Sequence, residues 1–143
     1  VFERLLQRNK IPYQDCRDCT QFDYIVGSGI TVDVKTKDRT VKPQLNFDNS
    51  VSLYNHEHQR PDYFYFISLL RDRNANDDDV RRFKKAYLLG AIHIEALDKS
   101  GKHWKAGQID TSNSMKFWTD TLTVDMHHLV ANEELLDMFR IAV

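Results

Sequence analysis

The sequence predicts an α/β domain (α+β in its order of elements), with a central mixed β-sheet flanked by helices. Three observations predict it. Residues 22–37, FDYIVGSGITVDVKTK, read as a two-strand hairpin. Residues 62–70, DYFYFISLL, are apolar almost without a break, the pattern of a central strand covered on both faces. Segments with helical apolar spacing stand at both ends, VFERLLQRN at 1–9 and ANEELLDMFRIAV at 131–143.

The hairpin organises the rest. With Gly27-Ser28-Gly29 as its loop, Val26 pairs with Ile30, Tyr24 with Val32, and Asp23 falls opposite Asp33. Side chains alternate between faces along a strand. One face therefore carries Phe22, Tyr24, Val26, Ile30, Val32 and Val34, and the other carries Asp23, Asp33, Lys35 and Lys37. Directly opposed residues sit roughly 4.5–5.5 Å apart at Cβ, where like charges destabilise. Two readings account for the facing aspartates. A hard divalent cation accepts such carboxylates together with waters and phosphate oxygens; alternatively the face is solvated and Lys35 neutralises the acids. Lys35 lies about 6.6 Å beyond Asp33 on the same face. Asp33-Val34-Lys35 is the only acid-x-Lys triplet in the chain.

Composition bounds the classes. At 143 residues the chain reads as one domain, 1–143, able to bury a real core. Hydrophobic content of 41% and charged content of 29% describe an ordinary globular protein. Net charge is −1, so no global basic field announces nucleic acid, and any such contact must use a local patch. No apolar run approaches the roughly 18 residues of a membrane helix, and no signal-peptide pattern is present. Two cysteines do not make a disulfide scaffold and fit an intracellular setting.

In chain order, Phe2, Leu5 and Leu6 make the apolar stripe of a first helix that stops before Pro12. Glu3 is on another face, either solvated or turned toward a site. Residues 13–20, YQDCRDCT, form a minor strand or a turn. Their Cys16-x-x-Cys19 is half of a four-ligand zinc set, with His56 and His58 as the other candidates, or simply two thiols. KDRTVKPQLNFDNS, 37–50, reads as a basic loop carrying Lys37, Arg39 and Lys42, placed for phosphate contacts. Ser50 reads as the N-cap of a helix over 51–60, with Asn55, His56, His58 and Gln59 on polar positions and Pro61 as its stop. His58 and Gln59 are candidate substrate contacts.

After the buried strand at 62–70, an Asn/Asp-rich loop leads to a strand over 82–91 and a short helix from 92. HWK belongs to a basic tail, 115–124 to a late edge strand, and Asn132 caps the last helix, with Leu135, Leu136 and Phe139 on its inner face.

This order of helix, hairpin with Asp and Asp-x-Lys, helix and buried strand resembles the PD-(D/E)xK phosphodiesterase superfamily, the restriction-endonuclease-like fold. Asp23 matches the first acid of its motif, Asp33 the second, and Lys35 the lysine. PDYFYFISL, KAYLLGAIHIEAL, HWKAGQ and TDTLTVDMHHL are similar to small phage and bacterial endonuclease-like members. The chain departs from the pattern at Phe22, where a proline is common, at Asp33, where Glu is commoner, and at Gly90-Ala91-Ile92, which lacks a Trp.

The resemblance implies a restriction-endonuclease-like core and Mg²⁺- or Mn²⁺-dependent hydrolysis of DNA. Asp23, Asp33 and the Val34 carbonyl would be ligands, with Glu3 as a further helix-borne acid, and Lys35 would position the water. Lys37, Arg39, Lys42, His58 and Gln59 would meet the substrate. The setting implied is the cytoplasm, of a host cell if the chain is phage-encoded, with no membrane partner. Many nucleases of this fold pair to cut both strands, which leaves a homodimer open. A catalytically silent binding or assembly domain and a zinc-stabilised interaction module are the alternative readings.

Overall fold

The computed structural model describes residues 1–54, 58–76 and 79–141. Its centre is a five-stranded mixed sheet in the order β1 (Tyr13–Asp15), β2 (Tyr24–Val26), β3 (Ile30–Arg39), β5 (Tyr63–Arg71), β6 (Phe83–His93). A three-stranded antiparallel sheet, β4 (Asp48–Ser52), β10 (Thr121–Asp125) and β7 (Lys102–Trp104), packs on one of its faces. A two-stranded ribbon, β8 (Ile109–Asp110) and β9 (Met115–Lys116), completes the strands. The helices are α1 (Phe2–Arg8), α2 (Ile94–Ser100) and α3 (Asn132–Ile141).

The hairpin register is the expected one: Val26 faces Ile30 and Tyr24 faces Val32. Gly27 supplies the left-handed turn at φ 61°, which favours glycine. Its apolar face is buried. Tyr24, Val26 and Val32 join Tyr65 and Ile67 of β5 under α1 and α3, which contribute Phe2, Leu6, Leu135, Leu136 and Phe139. Phe2 lies between the rings of Tyr24 and Tyr65, at 5.3 and 4.7 Å.

The opposite face of β5 and β6 presents Phe64, Phe66 and Ile92 to Ile94 and Leu97 of α2 and to Val51, Leu122 and Val124 of the small sheet. The nearly continuous apolar run of β5 is thus covered on both sides. Strands β3 and β5 run parallel, Val32 beside Tyr63 through Arg39 beside Leu70. A latch fixes that register: the Thr31 amide and hydroxyl donate to Asp62 Oδ2 at 2.9 and 3.2 Å, and the Asp62 amide donates back to Thr31 Oγ1 at 2.8 Å.

Several expectations are corrected. Residues 48–52 form β4, where a helix over 51–60 was expected; Val51 pairs with Leu122 and buries on the central sheet, which outweighs the weak local cap signal of Ser50. Asn55 and His56 lie outside the described residues. Lys37 and Arg39 belong to β3, not to a loop, because the ladder to β5 continues to Arg39. HWK is not a tail: Lys102–Trp104 is β7, pinned where Trp104 Nε1 donates to Thr123 Oγ1 at 2.9 Å. The strand expected over 115–124 breaks in two, and β10 is the middle of its sheet, not an edge. Asn132 bonds to the central sheet, accepting from Tyr65 Oη at 2.6 Å and donating to the Leu88 carbonyl at 2.8 Å.

Gly90 sits at a bulge opposite Phe66, with φ 128°. A Cβ there would stand 2.4 Å from the Val130 carbonyl oxygen, so glycine lets the chain entering α3 pair with β6 through the Ala91–Val130 bridge.

Candidate active site

Asp33 and Lys35 stand on β3, on the face turned toward Phe64 and Phe66. The Asp33 carboxyl is buried, with 4% of the residue exposed, while the Lys35 side chain keeps 29% of its surface in solvent. Lys35 Nζ lies 2.7 Å from Asp33 Oδ2. Among the described residues that oxygen has no other partner and receives no well-directed hydrogen bond. The short approach of the ammonium is therefore a charge contact more than a directed bond, and a buried carboxylate oxygen so placed has capacity to spare. Burial pushes the Asp33 carboxyl up from its ordinary range; Lys35 opposes that shift and the charge of Asp23 adds to it.

Asp23 lies one residue before β2, at the point where the β2–β3 ladder ends. Its amide still donates to the Val32 carbonyl at 3.1 Å, and its Oδ2 accepts from the Val34 amide at 2.8 Å. The carboxylate thus takes the place of the next backbone acceptor. Within an extended strand, one residue's N–H and C=O point the same way. The Val34 carbonyl accordingly faces the Asp23 side, beyond the end of β2. Asp23 thus reaches the β3 backbone next to Asp33, and its charge acts on the Asp33 carboxyl. The two carboxylates and the Val34 carbonyl are hard oxygen donors of the kind that Mg²⁺ and Mn²⁺ accept.

Glu3 is engaged elsewhere. It accepts from Tyr24 Oη at 3.0 Å and pairs with Arg17 at 3.2 Å, under the helical layer. Among the described residues, no group of three or more His, Cys, Asp and Glu side chains is arranged to hold a metal ion. Cys16 and Cys19 are free thiols, the first buried and the second exposed, with Cys19 Sγ 3.3 Å from the Phe22 carbonyl. Gln59 Nε2 donates to the Thr20 carbonyl at 3.2 Å, so His58 and Gln59 lie along the loop that carries the cysteines and not beside Lys37.

Lys35, Lys37 and Arg39 share one face of β3 at alternate positions. A hollow of about 200 Å³, lined by Lys35, Lys37, Asn49, Ser50, Phe66 and Met115, opens beside Lys35. It shares Lys37, Ser50 and Met115 with a larger cleft of about 650 Å³. Lys37 is half-buried there, with its ammonium 4.0 Å from Met115 Sδ. Burial holds its ammonium below its ordinary pKa. Arg39 Nη2 donates to the Asp48 carbonyl at 2.7 Å, and its guanidinium lies 5.0 Å from the Phe47 ring centre. Lys42 is exposed on the following loop.

Sequence reasoning missed Phe47, Asp48, Asp110 and Phe117 as lining residues of the larger cleft. Only the pairing of β4 with a strand some seventy residues later brings Asp48 to it, and nothing local marks that pairing. Compared with known protein families and with curated proteins, the chain matches none. No helix among the described residues is long and apolar enough to cross a membrane.

Proposed function

We propose that this chain is a metal-dependent phosphodiesterase that cuts DNA, built on a PD-(D/E)xK-type core. One observation carries the reading: a buried Asp33 oxygen whose one partner among the described residues is a partly exposed lysine ammonium, with a second carboxylate near enough to disfavour its charge. A structural aspartate at that depth would ordinarily be fully hydrogen-bonded. The donor set fits Mg²⁺ or Mn²⁺, with Asp23, Asp33 and the Val34 carbonyl as its holders. Such an ion supplies Lewis-acid polarisation of the phosphoryl oxygen and a bound water of lowered pKa.

The remaining work falls to the chain. Lys35, released from Asp33 Oδ2, is placed to orient the attacking water and to offset charge developing on the phosphorus oxygens. Asp23 holds the Val34 amide and so keeps that carbonyl pointed into the site. Lys37 and Arg39 continue the row of cations along β3 for the backbone phosphates. Glu3 is not needed. The two free thiols suit a reducing compartment, and the cytoplasm is the location this reading implies.

The test is cleavage of duplex, nicked, branched and single-stranded DNA with Mg²⁺ and Mn²⁺. Metal-dependent products that disappear in Lys35→Met support the reading. Intact substrates throughout, with folded protein, refute it.

A further inference from the structure

The larger cleft differs in character from the row of cations leading to it. It is small-molecule sized, well below what a duplex requires. It joins the Lys35 hollow through Lys37, so a strand with its scissile phosphate at Lys35 has its neighbouring residue at the cleft mouth. Its lining is also ambipolar. Lys37 brings a half-buried positive charge that makes no ion-pair contact among the described residues, with the Asp48 carboxylate acting on it only through space. Asp48 brings a carboxylate that accepts no hydrogen bond from a described residue, and Asp110, beside it, is committed to Ser112 at 2.7 Å. Phe47 and Phe117 add ring surface.

An anion alone would be repelled by Asp48, and an apolar group would offer no hydrogen bond to either the Lys37 ammonium or the Asp48 carboxylate. What suits the set is a ligand with a phosphate at one end and an amino-bearing aromatic ring at the other. Cytosine and adenine carry such an amino group, whereas thymine presents carbonyl acceptors. We propose that the cleft receives one unpaired nucleotide, of cytosine or adenine type, next to the scissile phosphate, so that the substrate is single-stranded or locally unpaired DNA. Lys37 meets the phosphate, and Asp48 accepts from the exocyclic amino group. This rests on the phosphodiesterase reading above, but its test does not depend on hydrolysis.

The experiment is equilibrium binding by the full chain in chelator, read by fluorescence anisotropy. The probes are labelled oligo-dC, oligo-dT and a blunt mixed-sequence duplex of equal length, with free dCMP as competitor. Oligo-dC is expected to bind roughly tenfold tighter than oligo-dT or duplex, a difference of about 1.4 kcal/mol. Lys37→Gln should remove most of that affinity. So should Val41→Trp, which plugs the cleft from an exposed loop position and leaves the core untouched. Asp48→Asn should abolish the preference for dC over dT.

Duplex binding as tight as single strand would overturn the proposal, as would indifference to both Val41→Trp and Lys37→Gln. Competition by dCMP at the concentration of oligo-dC itself would make this a free-nucleotide site and overturn it as well. Selective oligo-dC binding without cleavage under any metal would instead refute the phosphodiesterase reading alone.

Discussion

Lys35→Met separates the lysine's charge from its stem. The methionine keeps the apolar stem against Phe66 and removes the ammonium 2.7 Å from Asp33 Oδ2. Asp33 is then a buried carboxylate with no compensating charge. Breaking a fully buried pair costs about 3–5 kcal/mol, and an exposed one about 0–1. With Asp33 buried and Lys35 29% exposed, an intermediate loss of about 2 kcal/mol is expected near neutral pH. In a domain of this size that lowers Tm by roughly 6–10 °C.

The loss carries a pH signature. The Asp33 carboxyl is already raised by burial, and Lys35 is what opposes the rise. A carboxyl raised in the folded state is best tolerated when protonated, so its penalty is absent below the unfolded pKa and grows as pH rises through the folded one. Removing Lys35 moves that folded value higher still. The deficit of Lys35→Met should therefore shrink toward zero as the solution is acidified. Denaturation in urea at several pH values measures it. A deficit that is flat with pH, or absent at neutral pH, would mean that the pair does not hold Asp33 in its charged form. Metal-dependent cleavage should also drop by about 10²–10⁴-fold, the usual weight of a positioned proton-transfer or charge-stabilising group. Cleavage equal to the parent would refute the role given to Lys35.

Asp33→Asn should raise the metal-free Tm, since it removes a buried charge that Asp23 disfavours, and should abolish cleavage; a lower Tm would make Asp33 structural. Glu3→Gln should leave cleavage within about threefold of the parent, a shift of less than 1 kcal/mol, because its carboxylate is bound to Tyr24 and Arg17; a larger loss would place Glu3 in the site. Gly90→Ala should destabilise by about 3 kcal/mol, combining a positive φ with a Cβ forced onto the Val130 carbonyl and weakening of the 3.2 and 2.7 Å bonds to Val130; urea titration showing under 1 kcal/mol would mean the bulge relaxes freely.

The parts legible in the sequence are those settled by neighbours. Strict alternation around Gly27-Ser28-Gly29 leaves one register open to the hairpin, because a one-residue slip would turn Tyr24 and Val32 to the charged face. The unbroken apolar run of β5 could only lie between two layers, and it does. Alternation also puts Asp33 and Lys35 on one face of β3, where their side chains meet, while Asp23 lies just past the paired part of β2 with its carboxylate on the Val34 amide.

The small sheet was not legible. Asp48–Ser52 is a strand because Leu122 and Val124 come back to pair with it, and Ser50 before a polar run looks locally like a helix start. The cleft inherits that blindness, since Asp48 reaches it only through that sheet. Asn132 shows the same limit in miniature. It has the chemistry of a cap, yet Tyr65 and the Leu88 carbonyl claim its side chain.

The acids and the lysine come from one short hairpin, whereas the cleft beyond them is closed by Phe47 and Asp48 at the entry to β4 and by Asp110 and Phe117 in and just after the β8–β9 ribbon. These segments meet β3 where Arg39 donates to the Asp48 carbonyl and where Lys37 lies beside Met115. On the proposed reading, the reacting groups and most of the cleft wall therefore occupy separate stretches of chain, joined at Lys37 and Arg39 of β3. Substitutions in the second stretch would then change what the cleft accepts while leaving the hairpin residues in place.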